Sequence, residues 1–222
     1  MKTAVITGAS GVVGARTLHH LLERDDVARV VTLGRRPLPV RHEKLVPRTV
    51  DLRSPAAMEP EIPEGADVAF CCLGTTMKQA GSKEAFRAVD RGAVVAFGEA
   101  ARRRGVPRFL LVSSIGASAR SRNFYLRTKG EAEDGLAQLG FAQLTVVRPS
   151  FIDDQGARPE ARMGERLTLP VFRAVFTVLG RKRRFAPIPA DVIGRALVRL
   201  AFDETAERVR TIESDALHRL GA

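Results

Sequence analysis

Aromatic residues and cysteine are scarce in this sequence. Tryptophan is absent, tyrosine occurs once, and aromatic residues make up 5% of the chain, so few side chains could stack on nucleic-acid bases. The two cysteines, Cys71 and Cys72, are adjacent, and no further cysteine is available to pair with either of them. A chain without a structural disulfide fits a reducing compartment, and we therefore expect a cytoplasmic location.

Long hydrophobic runs are also missing. The longest apolar stretch, 167–180, is interrupted by Arg173 and falls short of the roughly 20 residues that a membrane-spanning helix needs. The N-terminal sequence passes from a short apolar segment directly into glycines, which is typical of a first β-strand and not of a secretory signal. An integral membrane protein is therefore not expected.

Positive charge is the one strong bias in composition. The 36 lysines and arginines exceed the 25 aspartates and glutamates, which gives a formal net charge of +11. A basic chain can bind nucleic acid or an anionic membrane, but the arginines are spread along the chain and cluster only at 102–104 and 181–184. With so few aromatic residues, this distribution favours a solvated arginine-rich surface over a nucleic-acid interface.

One segment leaves peripheral membrane association open as an alternative. The apolar stretch 169–179 is followed by the basic cluster 181–184, and such a pair could lie on an anionic surface. The same pattern fits a lid or dimer helix followed by a solvated basic turn, and this second interpretation is preferred. A homodimer is left open as well.

Strand-like and helix-like segments alternate along the first 150 residues. The strand-like segments are almost continuously hydrophobic, as expected when helices cover both faces of a parallel sheet. The pattern predicts an α/β fold with a doubly wound, parallel Rossmann sheet. The predicted strands are 2–7, 27–33, 46–50, 68–73, 109–113 and 144–147, and the predicted helices are 12–22, 86–104 and 125–139.

After Pro149 the pattern loosens. We predict a small C-terminal substrate-side lobe over 150–189 with one helix at 169–179, and then a closing helix over 190–202 that packs back on the sheet. No long linker divides the chain, so 1–222 is expected to form a single domain, of which about 1–149 is the cofactor-binding part.

A glycine-rich turn follows the first predicted strand. Gly8, Gly11 and Gly14 stand in the pattern G-x-x-G-x-x-G between that strand and the first helix. Gly8 can turn off the strand, Gly11 lets the backbone approach a pyrophosphate, and Gly14 allows close helix–strand packing. The helix N-terminus adds free N–H groups and a positive dipole end, so this turn predicts dinucleotide binding.

The end of the second predicted strand indicates which dinucleotide is bound. A site that prefers NAD usually carries Asp or Glu there to hold the ribose 2′-hydroxyl, but this sequence has Arg35 and Arg36. Guanidinium groups can pair with a 2′-phosphate, which favours NADP(H). Asp51 and Leu52 follow the third strand, where the Asp51 carboxylate could accept a hydrogen bond from the adenine amino group or merely cap a turn.

A second motif carries the predicted chemistry. Tyr125 and Lys129 form Y-x-x-x-K at the start of a helix, a spacing that places both on one face. A neighbouring lysine ammonium favours the phenolate form of a tyrosine, so Tyr125 could exchange a proton with a carbonyl oxygen while hydride moves to or from nicotinamide. Ser113 and Ser114 end the fifth strand, and a serine hydroxyl there could bond the substrate oxygen.

In order and type, these motifs resemble the short-chain dehydrogenase/reductases, with the glycine spacing of their extended and atypical members. Several stretches are similar to the atypical subgroup of the Tat-interacting tumour-suppressor oxidoreductase, and this resemblance spans nearly the whole chain. The stretches are Leu33-Gly34-Arg35-Arg36, Phe70-Cys71-Cys72-Leu73-Gly74-Thr75-Thr76, Ala80-Gly81, Val89-Asp90-Arg91, Tyr125-Leu126-Arg127-Thr128-Lys129-Gly130-Glu131 and Arg148-Pro149-Ser150.

The resemblance implies NADPH in the crevice and a role for each matching residue. It implies Ser114, Tyr125 and Lys129 as the catalytic set, with Ser113 the second choice of serine, and Cys71 and Cys72 as packing residues. The implied cofactor contacts can be sorted by the part of NADPH. Gly8, Ser10, Gly11 and Val13 are implied at the pyrophosphate, with Gly14 behind them, and Arg35 and Arg36 at the 2′-phosphate. Asp51 and Leu52 are implied at the adenine, Leu73, Gly74 and Thr75 at the adenosine and ribose, and Lys129, Pro149 and Ser150 toward the nicotinamide.

Asp90 marks a departure from the best-known family members. Those carry an asparagine on the helix before the fifth strand, where it supports a proton relay, whereas this chain has Asp90 nearby. Two functions follow from the resemblance. The first is an NADPH-dependent reductase of a small carbonyl substrate, and the alternative is a non-catalytic, NADP(H)-gated regulatory protein in which Asp90 and the basic surface recognise a partner. No metal site is predicted.

Overall fold

The computed structural model describes residues 1–153, 185–203 and 205–222. Within them, seven strands form one sheet in the order β3-β2-β1-β4-β5-β6-β9, and every neighbouring pair is parallel. A separate two-stranded parallel pair consists of β7 and β8. The strands are β1 (Lys2–Thr7), β2 (Val27–Gly34), β3 (Leu45–Thr49), β4 (Val68–Cys71), β5 (Arg108–Val112), β6 (Gln143–Arg148), β7 (Ile152–Asp153), β8 (Ile188–Pro189) and β9 (Val209–Glu213).

Helices connect the strands and cover the two faces of the sheet. A 3₁₀ turn follows α2, and a π-helical turn separates α4 from α5. The helical segments of the described residues are α1 (Val12–Leu22), α2 (Pro55–Met58), the 3₁₀ turn (Glu59–Glu61), α3 (Met77–Ala80), α4 (Lys83–Arg87), the π turn (Ala88–Ala93), α5 (Val94–Arg103), α6 (Phe124–Gln138), α7 (Ala190–Phe202) and α8 (Ser214–Leu220).

The hydrophobic core lies in two layers, one on each face of the sheet. Successive residues of a strand point to opposite faces, and β1 follows this rule. Ala4 and Ile6 pack in the layer formed with α1 and α7, whereas Val5 packs in the layer formed with α5 and α6. Because both faces are buried, the inner strands are largely hydrophobic, although Thr7, Thr32 and Thr145 are also buried in them. The doubly wound Rossmann fold that the sequence predicts is confirmed.

The part of the chain after β6 differs from the prediction. The helix predicted over 190–202 is present as α7, but it is not the last element, because the chain returns to the sheet as β9 and ends with α8. No hydrophobic run marks β9 in the sequence, since it is an edge strand in which Val209 and Thr211 are exposed. The predicted helix at 169–179 and most of the predicted lobe lie outside the described residues.

The long helix predicted over 86–104 is also different. The helical stretch begins earlier, at Lys83, and the π turn interrupts it before α5. A π turn holds one more residue than an α turn and is commonly found at functional sites. No described helix has the length and apolar character that a membrane crossing requires.

The strand order places a crevice beside β1. The chain moves outward from β1 to β2 and β3 and then crosses back to β4 on the other side of β1. At such a switch point the loops after the two neighbouring strands leave in opposite directions, and the gap between them is where doubly wound sheets bind ligands.

Candidate cofactor-binding and catalytic site

The glycine turn is packed as tightly as its sequence suggested. Gly8 has a φ of 77°, and its carbonyl accepts a hydrogen bond from the Gly11 N–H at 2.9 Å. A Cβ on Gly8 would lie less than 3.0 Å from the Cys72 carbonyl oxygen. A Cβ on Gly14 would likewise lie less than 3.0 Å from the Gly8 carbonyl oxygen. Gly11 is the N-cap of α1 and provides no capping side chain, so no side chain competes with an anion for the first N–H groups of the helix.

A cavity of about 1070 Å³ opens in front of this turn, between the loops that follow β1, β2, β3 and β4. Its walls include ten residues that the sequence assigned to the cofactor. These are Gly8, Ser10, Gly11, Arg35, Arg36, Asp51, Leu52, Leu73, Gly74 and Thr75. Residues from four separate loops therefore meet at one edge of the sheet, as the strand order requires.

Five other predicted cofactor residues, Lys129 among them, do not line this cavity. Val13 is buried in the layer beneath the turn, and Gly14 lies behind it against Gly8. Pro149 is buried. The Ser150 hydroxyl donates to the Ala186 carbonyl and accepts from the Ser214 hydroxyl at 3.0 Å, so its side chain serves the fold of the C-terminal part.

The arginines at the cavity differ in whether they already have a partner. Arg48 pairs with Glu61 at 2.8 Å. In contrast, Arg35 and Arg36 are exposed and line the cavity, and no carboxylate of the described residues lies within ion-pair distance of either. These two guanidiniums are therefore available to an anion.

The Asp51 carboxylate is engaged by a residue that the sequence reading overlooked. Arg53 donates from its backbone N–H at 3.0 Å and from Nε at 3.1 Å to Oδ1, and from Nη2 at 3.2 Å to Oδ2. The side-chain hydrogen bonds from Arg53 lower the pKa of Asp51 below its usual range. The signal was present in the sequence, because an Asx side chain commonly closes a local turn with the backbone two residues on.

The predicted catalytic pair lies at the start of α6. Asn123 caps this helix by accepting a hydrogen bond from the Leu126 N–H at 3.1 Å, which fixes where the helix begins. Tyr125 and Lys129 are therefore one turn apart on it, and the Tyr125 ring packs on the buried Phe86 of α4 with the ring centroids 5.5 Å apart. Phe86 is the aromatic support that sequence reasoning did not assign.

The two adjacent serines have different surroundings. Ser113 is buried, and its hydroxyl donates to the buried Glu133 carboxylate of α6. Ser114 is half-buried. The loop that carries it is held to the end of β6, because the Ile115 N–H donates to the Pro149 carbonyl at 2.9 Å.

Lys129 and Asp90 form a buried ion pair beside the cavity. Lys129 Nζ lies 2.7 Å from Asp90 Oδ1. A partner-recognition role for Asp90, as the regulatory alternative supposed, is wrong, because Asp90 has no exposed surface. Burial by itself would lower the pKa of Lys129, but the Asp90 carboxylate, with a further contribution from Tyr125, outweighs it and raises the pKa above its usual value.

Burial affects both cysteines, completely at Cys71 and partly at Cys72. It raises the pKa of Cys71, and it raises that of Cys72 to about 12, with a further contribution from the neighbouring Cys71. Thiols of this kind stay protonated and poorly nucleophilic near neutral pH. In the described parts of the chain, no three His, Cys, Asp or Glu side chains gather as a metal site would require.

Sequence comparison identifies the family. A family model described as NAD(P)H-binding matches residues 8–170. The chain belongs to this family. It is also 37% identical to Protein HTATIP2 of Rattus norvegicus over 163 residues, which cover 71% of this chain and 66% of that protein. The resemblance to the atypical short-chain dehydrogenase/reductases and their Tat-interacting subgroup is thereby confirmed.

A second relative covers almost the whole chain. Protein FMP52, mitochondrial, of Eremothecium gossypii is 32% identical over 216 residues, 95% of this chain and 93% of that protein. Several further curated relatives also carry the word mitochondrial in their names. The expected cytoplasmic location is therefore contradicted, because a lack of disulfides reports on redox conditions and does not identify a compartment.

Structural comparison supports the fold. The dTDP-glucose 4,6-dehydratase DesIV of Streptomyces venezuelae, solved with NAD and TYD bound, superimposes with a TM-score of 0.70 over 95% of this chain and 75% of that chain. The two sequences are only 16% identical, so this likeness concerns the Rossmann fold. The chain is thus an NAD(P)-binding member of an oxidoreductase-like family.

Proposed function

We propose that the chain is an NADPH-dependent oxidoreductase that transfers hydride to a small carbonyl substrate, with Tyr125 as the acid/base residue. The observation that supports this most is the position of the Lys129 ammonium. It lies one helical turn from Tyr125 and next to Gly74, which lines the dinucleotide-sized cavity. A charged lysine that is one helical turn from a phenol and close to the wall of a cofactor cavity suits proton transfer coupled to hydride transfer.

The cavity fits a dinucleotide with an additional phosphate. The uncapped start of α1 and the glycine turn provide N–H groups and space for a pyrophosphate, where helix N-termini favour anions. Arg35 and Arg36 stand at the same cavity without a carboxylate partner among the described residues, and paired guanidiniums suit a 2′-phosphate. These features support NADP(H) over NAD(H).

The remaining side chains have complementary tasks. When bound, NADPH supplies the hydride. Ser114 would donate a hydrogen bond to the carbonyl oxygen of the substrate and hold it in place. Tyr125 would give its proton to the same oxygen, so that hydride and proton together turn the carbonyl group into an alcohol. The Lys129 ammonium would stabilise the resulting phenolate until a proton returns from solvent.

A two-part experiment tests the proposal. Calorimetry should detect NADPH binding to the purified chain and much weaker binding of NADH. A panel of aldehydes and ketones, followed by NADPH absorbance, should then identify a substrate whose turnover falls by about 10²-fold or more in Tyr125→Phe, with NADPH affinity unchanged. Turnover that survives Tyr125→Phe would refute the acid/base role. NADPH binding without turnover of any carbonyl compound would instead favour the regulatory alternative.

A further inference from the structure

The helical segment between β4 and β5 contains a local irregularity with a charged residue inside it. Asp90 belongs to the π turn between α4 and α5 and has no exposed surface. Moving a carboxylate out of water is costly unless it is paired and hydrogen-bonded. Asp90 must therefore gain specific partners in the folded chain.

The partners of Asp90 come from two other elements. Its Oδ1 lies 2.7 Å from Lys129 Nζ of α6, and its Oδ2 accepts a hydrogen bond from the Thr75 N–H at 2.9 Å, in the loop after β4. One carboxylate thus connects the π turn, helix α6 and the loop after β4 that forms part of the cavity wall. The pair lies directly behind Gly74, where a Cβ would be 3.5 Å from Lys129 Nζ and 3.6 Å from Asp90 Oδ1.

We propose that Asp90 is a positioning residue that fixes the Lys129 ammonium beside Tyr125 and ties it to the cofactor wall at Thr75. This inference rests on the proposed function of the same site. It also assigns a task to the aspartate that stands near the position of the family's relay asparagine. Instead of passing a proton along, Asp90 holds a charge in place.

The electrostatic surroundings of Lys129 support this role. The groups that act on its ammonium are Asp90 from the π turn, Tyr125 from its own helix and Cys71 from β4. Burial would lower the pKa of Lys129, and Asp90 is the largest influence in the opposite direction. If the carboxylate charge is removed, burial prevails, so the pKa of Lys129 falls and the ammonium is lost at a lower pH.

Asp90→Asn is the informative variant. Asparagine keeps the size of the side chain and an oxygen for the Thr75 N–H, but it removes the charge that faces Lys129. The matched control is Glu131→Gln, which removes a carboxylate two residues from Lys129. Glu131 pairs with Arg87 at 2.8 Å and is not among the groups that shift the pKa of Lys129.

The first readout is independent of activity. The chain has six lysines, so ¹⁵N-lysine labelling gives few Nζ resonances, and Lys129→Met identifies the one from Lys129. In the unmodified protein this resonance should titrate above the ordinary lysine value of about 10.4. It should titrate at a clearly lower pH in Asp90→Asn and unchanged in Glu131→Gln.

The second readout is the pH profile of NADPH-dependent turnover. The form with a charged Lys129 is the active one, so activity is lost as pH rises through the pKa of Lys129. In Asp90→Asn this alkaline limb should move to lower pH, so that kcat is lost at an alkaline pH at which the unmodified protein is still active, while KM for NADPH changes little. A merely structural role would lower thermal stability without moving the limb.

The outcomes separate the two proposals. An Asp90→Asn protein in which Lys129 titrates as before overturns the inference, whether or not the protein is an enzyme. A lowered titration in a chain that does not bind NADPH supports the control of Lys129 by Asp90 and refutes the proposed function. If Asp90→Asn does not fold, the unmodified protein decides, because a Lys129 that titrates below the ordinary lysine value contradicts the ion pair.

Discussion

The Ser113 hydroxyl donates a hydrogen bond to the carboxylate of Glu133, a buried residue of α6. Glu133 in turn pairs with Arg148. The Ser113 hydroxyl is thus committed to the interior, whereas Ser114, the next residue, is half-buried at the carboxyl edge of the sheet.

This difference predicts opposite effects for two alanine substitutions. Ser114→Ala should lower kcat by about 10²-fold through loss of one donor to the substrate oxygen, with thermal stability preserved. Ser113→Ala should keep turnover close to normal but lower the free energy of unfolding by about 1–3 kcal/mol, because a buried carboxylate loses a donor. Steady-state kinetics and urea unfolding measure the two effects. A stable Ser113→Ala protein without turnover would show that the serines were assigned the wrong way round.

Arg35 and Arg36 should determine the choice between NADPH and NADH. If the two arginines hold the 2′-phosphate as proposed, alanine at either position would remove a charge-assisted bond, so the Kd for NADPH should rise by about tenfold, with little change for NADH. Calorimetry with both cofactors measures the ratio. Arg29→Ala is the matched control, because Arg29 is an exposed arginine of β2 outside the cavity lining. If Arg29→Ala weakens NADPH binding equally, general charge and not a specific contact would be responsible.

Gly8 can be compared with Gly65, which has nearly the same backbone φ. Their φ angles are 77° and 72°, but a Cβ on Gly65 would meet nothing within 4 Å, whereas one on Gly8 would meet the Cys72 backbone. Gly65→Ala should therefore cost only the left-handed backbone strain of about 1–2 kcal/mol. Gly8→Ala should add an overpacking cost of about 1–3 kcal/mol and weaken NADPH binding. Equal losses in urea unfolding would contradict the crowding at Gly8.

Cys72 should be inert in spite of its position at the cavity wall. Burial raises the pKa of its thiol to about 12, and only the thiolate reacts with alkylating agents. At about pH 8, iodoacetamide should label neither cysteine of the native protein and both cysteines of the urea-unfolded protein. Mass spectrometry counts the adducts. Rapid labelling of Cys72 in the folded state would indicate a reactive thiol.

The contacts of Asp67 with β1 should make the free energy of unfolding decrease at acid pH. Its carboxylate accepts from the Lys2 ammonium and from the Thr3 N–H, both at 2.8 Å. Burial would raise the pKa of Asp67, but these bonds outweigh it, so the pKa is lower in the folded chain. The stabilisation is therefore complete above the unfolded pKa of about 3.9 and is lost as pH falls through the lower folded pKa.

The test compares the free energy of unfolding of the unmodified chain with that of Asp67→Asn across this range. The difference should be constant from about pH 5 to 7 and shrink below about pH 4. Asp25→Asn removes an exposed carboxylate in the turn before β2 and serves as the control for the loss of one negative charge. If the difference in the free energy of unfolding between the two proteins instead grew as pH falls, the pKa of Asp67 would be raised in the folded chain and the prediction would be wrong.

Local patterns were sufficient to predict the cofactor half of the fold. The turn from Gly8 to Gly14 follows directly from β1 and opens α1, so its conformation depends on residues that are close in sequence. The inner strands were recognisable because both faces are buried. In contrast, β9 was missed because an edge strand with exposed positions lacks the hydrophobic run.

The candidate catalytic site could be predicted only in part, because some of its contacts join residues that are far apart in the sequence. Tyr125 and Lys129 share a helix, and their spacing alone places them together. Lys129 pairs with Asp90, which lies in a π turn. No pattern in the sequence predicts that turn. Without that contact, Asp90 resembled a surface charge. Similarly, the commitment of Ser113 to Glu133 depends on how α6 packs against β5.

The missing side chain at Gly74 has a consequence for how such a protein could change over time. A methyl group there would rest against both members of the ion pair at ordinary contact distance, and the backbone of Gly74 is not among the left-handed ones. An alanine at this position would therefore be accommodated without displacing the ion pair or straining the backbone. The cavity wall in front of Lys129 and Asp90 can thus become narrower by one methyl group during evolution while the fold stays the same.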